Sequence, residues 1–317
     1  MILKLNSQGE SVKMLQKFLK IKETGYFCLE TEKSVKLWQK SNGLVDDGIV
    51  GPKTWKAMGI ATTDIKESII FNNNSNNTNN SINNFLPEGE YMKGPTKKKW
   101  VFLHHTGGWN DPFKTISHWA SDTRGPIATE FVIGGQSIKG DDLQYDGKLV
   151  CAFPEGGYGW HLGIGNNAMH RESIGIEICS FGQLTKGSYI KYEKGKKTEV
   201  FLKPNSFYTY VGTEANINQV VTLSKPFKGF IYWHKYSDAQ IKTLYELLKN
   251  ISVRDNIDMR KGIQELIKKK GVDAAFNFYD VKYVSKHPGL WIHANVNKNK
   301  TDVFPQQELV DMIMSFK

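Results

Sequence analysis

The sequence predicts an α/β protein, with a mixed central β-sheet flanked by helices and a small all-α domain of three helices ahead of it. Three observations carry this. Short apolar runs at 100–103, 131–133 and 173–179 are separated by segments of helical spacing, the pattern of strands and helices sharing one core. Residues 3–60 set apolar side chains three and four apart between glycine-bearing turns. Between the two regions lies FNNNSNNTNNSINNF (71–85), where nine of the thirteen residues from Asn72 to Asn84 are Asn. Such a composition cannot build a core and reads as a flexible linker. The expected boundaries are therefore 1–60, 61–85 and 86–317.

Each element follows from local signals. Val12, Leu15 and Leu19 fall at helical spacing after Ser11, and a second helix from Thr31 buries Val35 and Trp38. Gly51-Pro52 opens a third, with proline in a first-turn position. Beyond the linker, Trp100–Leu103, Phe131–Ile133 and Ser173–Cys179 read as buried strands. Phe113–Ser121 reads as a helix. Another begins at Ser237 with a Ser237-x-x-Gln240 capping box and sets Ile241, Leu244, Tyr245 and Leu248 on one face. A third runs to Lys270 and stops at Gly271. Residues 183–232, rich in Tyr, Thr, Val and Lys, read as an inserted β-hairpin region beside the site.

Composition narrows the class. A 39% hydrophobic and 12% aromatic content fits a globular protein with a core. The first residues, MILKLNSQGESVK, lack an apolar signal region, and no apolar run reaches the ~20 residues that cross a bilayer. A soluble protein made in the cytoplasm, with no secretion signal and no stable membrane insertion, is expected. Three cysteines (Cys28, Cys151, Cys179), odd in number and never in a CxxC pair, argue against a disulfide framework or a thiolate zinc cage. A net charge of +10 favours acidic partners, whether nucleic acid, an anionic membrane or an anionic polymer such as a bacterial envelope, and selects none of them alone. The lysines are scattered and no nucleic-acid-binding pattern accompanies them, so no nucleic-acid partner is expected. A monomer is the default.

The turns and core of residues 3–60 resemble the peptidoglycan-binding module of bacterial and phage wall hydrolases. The matching residues are Gly9, Val12, Leu15-Gln16 and Leu19, then Gly43-Leu44, Asp47-Gly48, and Val50-Gly51-Pro52 with Thr54-Trp55. The usual acidic-Gly turn is replaced by Thr24-Gly25-Tyr26-Phe27. The resemblance implies bacterial peptidoglycan as the partner.

Eight histidines invite a search for metal ligands, but a histidine counts only in company. His104 ends the Trp100–Leu103 run, and His293 repeats that arrangement after Trp291-Ile292. A residue at a strand end is rigidly held yet faces a loop-lined opening. The stretch WIHANVNKNKTD (291–302) then returns an aspartate, Asp302, nine residues on. Two imidazoles and a carboxylate leave a fourth tetrahedral position for water, as in hydrolytic zinc sites. Spacing alone leaves this beside the plainer reading of a solvated turn.

Four dispersed motifs resemble, in order, the zinc-dependent N-acetylmuramoyl-L-alanine amidases that include phage lysozyme-type amidases and peptidoglycan recognition proteins. They are Phe102-Leu103-His104-His105-Thr106, Gly159-Trp160-His161-Leu162-Gly163, Ser173-Ile174-Gly175-Ile176-Glu177, and His293 with Lys300-Thr301-Asp302. The resemblance spans about residue 86 to 317. It implies Zn2+ held by His104, His293 and Asp302, and Lys300 beside the reacting carbonyl. Glu177, a carboxylate ending an apolar strand, is the expected general base. His161 is expected to contact substrate or the oxyanion. His105 and His118 read as core or supporting residues, and His170, His234 and His287 as surface residues.

Two departures stand out. Where some relatives carry a tyrosine, this chain reads Ala128-Thr129-Glu130-Phe131, with Glu130 expected in the cleft or in solvent. After Asp302, where Pro-Gly is common, it has Val303-Phe304. The implied function is a phage endolysin that cuts the amide between N-acetylmuramic acid and L-alanine by zinc-activated water. A stem-peptide metallopeptidase and a non-catalytic receptor are the alternatives.

Overall fold

The computed structural model describes every residue except 1, 2, 6, 8, 9, 26, 60–80, 95, 166, 194 and 195, and leaves out the side chains of residues 10, 11, 52 and 167. The chain divides into two compact units, Met1–Asn80 and Ser81–Lys317. Gly9, Tyr26 and most of the expected linker lie outside the described residues.

In the first unit, helices Glu10–Phe18, Leu29–Ser41 and Pro52–Ala57 enclose Leu3, Val12, Leu15, Phe27, Val35, Val50 and Trp55. Trp38 is only half-buried and meets Phe18 edge-on, with ring centroids 5.7 Å apart. The turns are tied by buried glutamines. Gln16 Oε1 accepts from Gly25 N at 2.8 Å, and Gln39 Oε1 accepts from Gly48 N at 2.9 Å.

The second unit is built on a six-stranded mixed sheet of order β1-β4-β3-β5-β2-β13. Its strands are β1 (Ile82–Asn83), β2 (Trp100–His105), β3 (Phe131–Ile133), β4 (Leu149–Cys151), β5 (Ser173–Ile178) and β13 (Gly289–Ile292). Only the β3–β4 pair is antiparallel. The predicted strands are present within one or two residues. One boundary moves: Ile82 and Asn83 pair with Val150 and Cys151, so this unit begins at Ser81 instead of residue 86. The end of the asparagine run is thus used as an edge strand.

Helices cover the sheet as the spacing predicts. Ser237 caps the helix Asp238–Asp255 with a complete capping box, and Leu244, Leu247, Leu248 and Ile251 are its buried face. Gly271 ends the helix Ile263–Lys270. The main core joins these side chains to Phe102, Leu103, Ile174, Ile176, Trp291 and Ile292 of the sheet.

The region 183–232 is larger than a hairpin. It forms a five-stranded antiparallel sheet of order β10-β9-β6-β12-β11 and a separate hairpin. The strands are β6 (Gln183–Lys186), β9 (Phe207–Tyr208), β10 (Glu214–Ala215), β11 (Val220–Phe227) and β12 (Phe230–His234), with β7 (Ser188–Glu193) and β8 (Lys196–Phe201) as the hairpin. Ile138, Phe181, Leu184, Phe207 and Ala215 give it a small core of its own. Among the described residues no helix is long and apolar enough to cross a membrane. All three cysteines are free.

Candidate metal centre

Strand register brings the site together. In the parallel pairs of the main sheet, Ile292 lies opposite Leu103, and His104 lies opposite Glu177. His293, His104 and Glu177 therefore stand in a row near the carboxyl ends of β13, β2 and β5, where open α/β sheets hold their ligands. Side chains two apart share a strand face, so Ser173, Gly175 and Glu177 project together, as do Trp100, Phe102 and His104 of β2.

Asp302 is returned by a folded loop. A 3-10 turn, His293–Asn295, follows β13, and Ala294 N donates to Asp302 O at 3.1 Å to close the loop. Asn295, fully buried, holds its base: Nδ2 donates to the carbonyls of Ala275 and Phe278 at 3.1 and 2.8 Å. The expected solvated stretch is thus solvated only from about Lys298 to Lys300.

His104, His293 and Asp302 are all buried. His104 Nδ1 lies 2.9 Å from His293 Nδ1, which lies 2.8 Å from Asp302 Oδ2. The third edge, His104 Nδ1 to Asp302 Oδ2, is 3.4 Å. Among the described residues this is the group of three whose donor atoms could share one ion.

The donors fit a cation. His293 Nε2 is 3.0 Å from the Leu162 carbonyl, which can only accept, so that nitrogen bears the proton and Nδ1 turns its lone pair inward. That lone pair faces a carboxylate oxygen, also an acceptor. Acceptor against acceptor at hydrogen-bond distance is repulsive unless positive charge lies between them, and two imidazoles with one carboxylate suit zinc. Burial pulls the His104 pKa down to about 4, leaving the ring neutral and able to bind metal.

Glu177 lies beside this cluster with its Oε2 buried and unbonded. Burial and the nearby Asp302 push its carboxyl up to about 8, against the pull of Lys300. A cleft of about 400 Å³ reaches the cluster at His293, with Arg124, Ile127, Trp160, His161, Ile164 and Lys300 also in its lining. Lys300 is exposed, and Thr301 Oγ1 donates to Gln183 Oε1 of β6 at 3.3 Å, which joins the inserted sheet to the His293–Asp302 loop.

Other expectations fare unevenly. His161 lines the cleft, but both its ring nitrogens are engaged within the protein. His105, on the opposite face of β2 from His104, is buried and bonded to Tyr236 Oη at 2.8 Å. His118 is exposed instead of supporting the core. His170 and His234 are buried, not on the surface: His170 Nδ1 accepts from His161 N at 3.2 Å, and His234 Nδ1 accepts from Phe181 N at 3.0 Å. Glu130 is neither in the cleft nor in solvent. It is buried, with Oε1 3.1 Å from Arg254 Nη1. The sequence reading missed Ser173, Arg124 and the Leu162 carbonyl. Ser173 and Leu162 stand inside quoted motifs, and position within those motifs was the available signal.

Residues 94–303 match the family model described as N-acetylmuramoyl-L-alanine amidase, and residues 8–58 match the one described as "Putative peptidoglycan binding domain". No curated protein matches. Among solved structures, a Burkholderia AP3 phage endolysin is 33% identical over 18% of this chain and 24% of its own, with a TM-score of 0.18. A selenomethionine AmpD derivative is 13% identical, covering 74% of this chain and 94% of its own at a TM-score of 0.37. The catalytic domain of XlyA is 14% identical, covering 75% and 96% at 0.35. With the amidase model extending from residue 94 to residue 303 of 317, the chain belongs to the N-acetylmuramoyl-L-alanine amidase family.

Proposed function

We propose that the chain is a modular phage endolysin whose second unit cuts the amide between N-acetylmuramic acid and L-alanine, with zinc held by His104, His293 and Asp302. The observation that carries this reading is the convergence of three inward-facing ligand atoms beside an unpaired carboxyl, inside the span matched to the amidase family. Zinc bound there supplies Lewis acidity, lowering the pKa of a water toward ~7 and polarising the amide carbonyl.

The residues of the chain do the rest. Glu177 takes the proton of the attacking water and returns it to the alanine nitrogen as the C–N bond breaks. The carbonyl oxygen gains negative charge during attack, and Lys300, which lines the cleft alongside His293, is the cation assigned to meet it. Products are a lactyl carboxylate on the sugar and a free alanine amine. Arg124 lines the cleft with its Nε and Nη2 on Asp122, leaving Nη1 to meet a carboxylate of a stem peptide. The first unit retains the enzyme on the wall, which raises the local concentration of substrate. This two-unit plan supports the endolysin role.

The test is mass spectrometry of sacculi digested with and without a zinc chelator. New alanine amino termini on intact glycan strands, abolished by the chelator, are expected. New ends inside the stem peptide would make the protein an endopeptidase, and wall binding without cleavage would make it a receptor.

A further inference from the structure

The hydrogen bonds behind the two histidine ligands differ in length. Behind His293 there is one link, to a carbonyl that can only accept. Behind His104 there are three. His104 Nε2 lies 2.9 Å from His161 Nδ1, His161 Nε2 lies 2.8 Å from Ser173 Oγ, and Ser173 Oγ lies 3.3 Å from the His170 carbonyl. A neutral imidazole has one donor and one acceptor nitrogen, so the direction of one hydrogen bond sets the next. With the serine hydroxyl donating to the His170 carbonyl, Ser173 Oγ accepts from His161 Nε2–H. His161 Nδ1 then accepts from His104 Nε2–H, and the His104 Nδ1 lone pair faces His293 and Asp302. With the hydroxyl turned to His161, the chain reverses and a proton occupies the position a metal needs.

We infer that Ser173 and His161 form a positioning relay that holds the His104 ring in its metal-binding tautomer, so that His161 acts through His104 and not on substrate. The inference rests on the zinc reading of the cluster. Packing against β5 and a backbone hydrogen bond both support it. A Cβ on Gly175 would stand 2.9 Å from His161 Nδ1 and 2.7 Å from Thr129 Cγ2, so only glycine leaves room for this ring against β5. The backbone of His161 is held as well: its N–H donates to His170 Nδ1 at 3.2 Å, and His170 Nε2 donates to the Ile164 carbonyl at 3.1 Å. Ser173, Gly175 and Glu177 thus share one strand face with three duties, the end of the relay, the space for it, and the proposed base.

The experiment is zinc titration of the metal-free full-length protein against a chromophoric chelator, for wild type, His161→Phe, His161→Gln and Ser173→Ala. Melting of the metal-free forms and KM for wall fragments are measured in parallel. His161→Phe is expected to weaken zinc binding ~10–100-fold, the usual effect of losing a partner behind a ligand, with Ser173→Ala intermediate. His161→Gln is expected to recover most of the loss, because its amide oxygen accepts from His104 and its NH2 donates to Ser173. Unchanged zinc affinity in His161→Phe with a raised KM would overturn the relay and make His161 a substrate contact. Equal loss in the Phe and Gln variants, tracked by equal losses in metal-free melting temperature, would reduce it to packing. If wild type binds no zinc, the metal reading itself falls and the relay with it.

Discussion

Glu177 shows how a single residue can be legible in sequence for one reason and useful for another. A carboxylate at the end of SIGIE is costly to bury, which marks it out, but its neighbours come from register: His104 lies opposite on β2, with Asp302 nearby. Replacing it with Gln keeps the shape and removes proton transfer. Turnover on sacculi is expected to fall ~10²–10⁴-fold while zinc stoichiometry, read by atomic absorption, stays at one. Asp302→Asn is expected to do the reverse at the first step, emptying the site of zinc before any effect on wall binding by the first unit. Histidines illustrate the limit of reading residues singly. His170 and His234 carry no periodic signal, so nothing in the chain distinguishes their buried positions from exposed ones. Ser173 stands inside the Ser173–Glu177 motif, but a serine at a strand start has many ordinary uses, so its hydrogen-bond partners are not written there.

Elements couple the site to the rest of the second unit. The departure after Asp302 has a structural use: Val303 and Phe304 are fully buried, and Phe304 stacks on Trp233 at 4.7 Å and on Tyr236 at 4.6 Å. Trp233 belongs to β12, so the inserted sheet clamps the exit of the ligand loop. Phe304→Ala is expected to cost about 3–5 kcal/mol of stability in denaturant melts. Zinc affinity should drop with it, because Asp302 is two residues away. A second coupling joins β3 to the helix Asp238–Asp255, where Arg254 meets the buried Glu130. Burial pushes the Glu130 carboxyl from 4.5 up to about 7, against the pull of Arg254 and Lys98. Between those values the folded chain keeps a proton that the unfolded chain has released, so stability falls as pH rises through this window. Glu130→Gln is expected to flatten that slope in thermal melts taken from pH 5 to pH 7. Arg254→Met strands the carboxylate and is expected to cost about 3–5 kcal/mol above pH 7 and less at pH 5, where the group is neutral.

At the scale of the whole molecule, the two units are expected to divide retention from cleavage. Deleting residues 1–80 should reduce co-sedimentation with sacculi, most visibly at raised salt, while turnover of soluble muropeptides by Ser81–Lys317 is unchanged. The sequence by itself determined the two-unit plan, the strands and helices near the site, and the two histidines and one aspartate that the fold gathers. Apolar runs, capping residues and motif order are local, and each is written within a few residues. Only the tertiary structure decided what lies between those stretches. His104 and His293 are 189 residues apart, and their Nδ1 atoms meet because β2 and β13 pair in register. The tautomer of each ring depends on a carbonyl or hydroxyl elsewhere in the fold, at Leu162 and Ser173. The inserted sheet reaches the ligand loop through Gln183 and Trp233. Register, burial and hydrogen-bond direction are long-range quantities, set by which strands pair and which faces meet, and no window along the chain contains them.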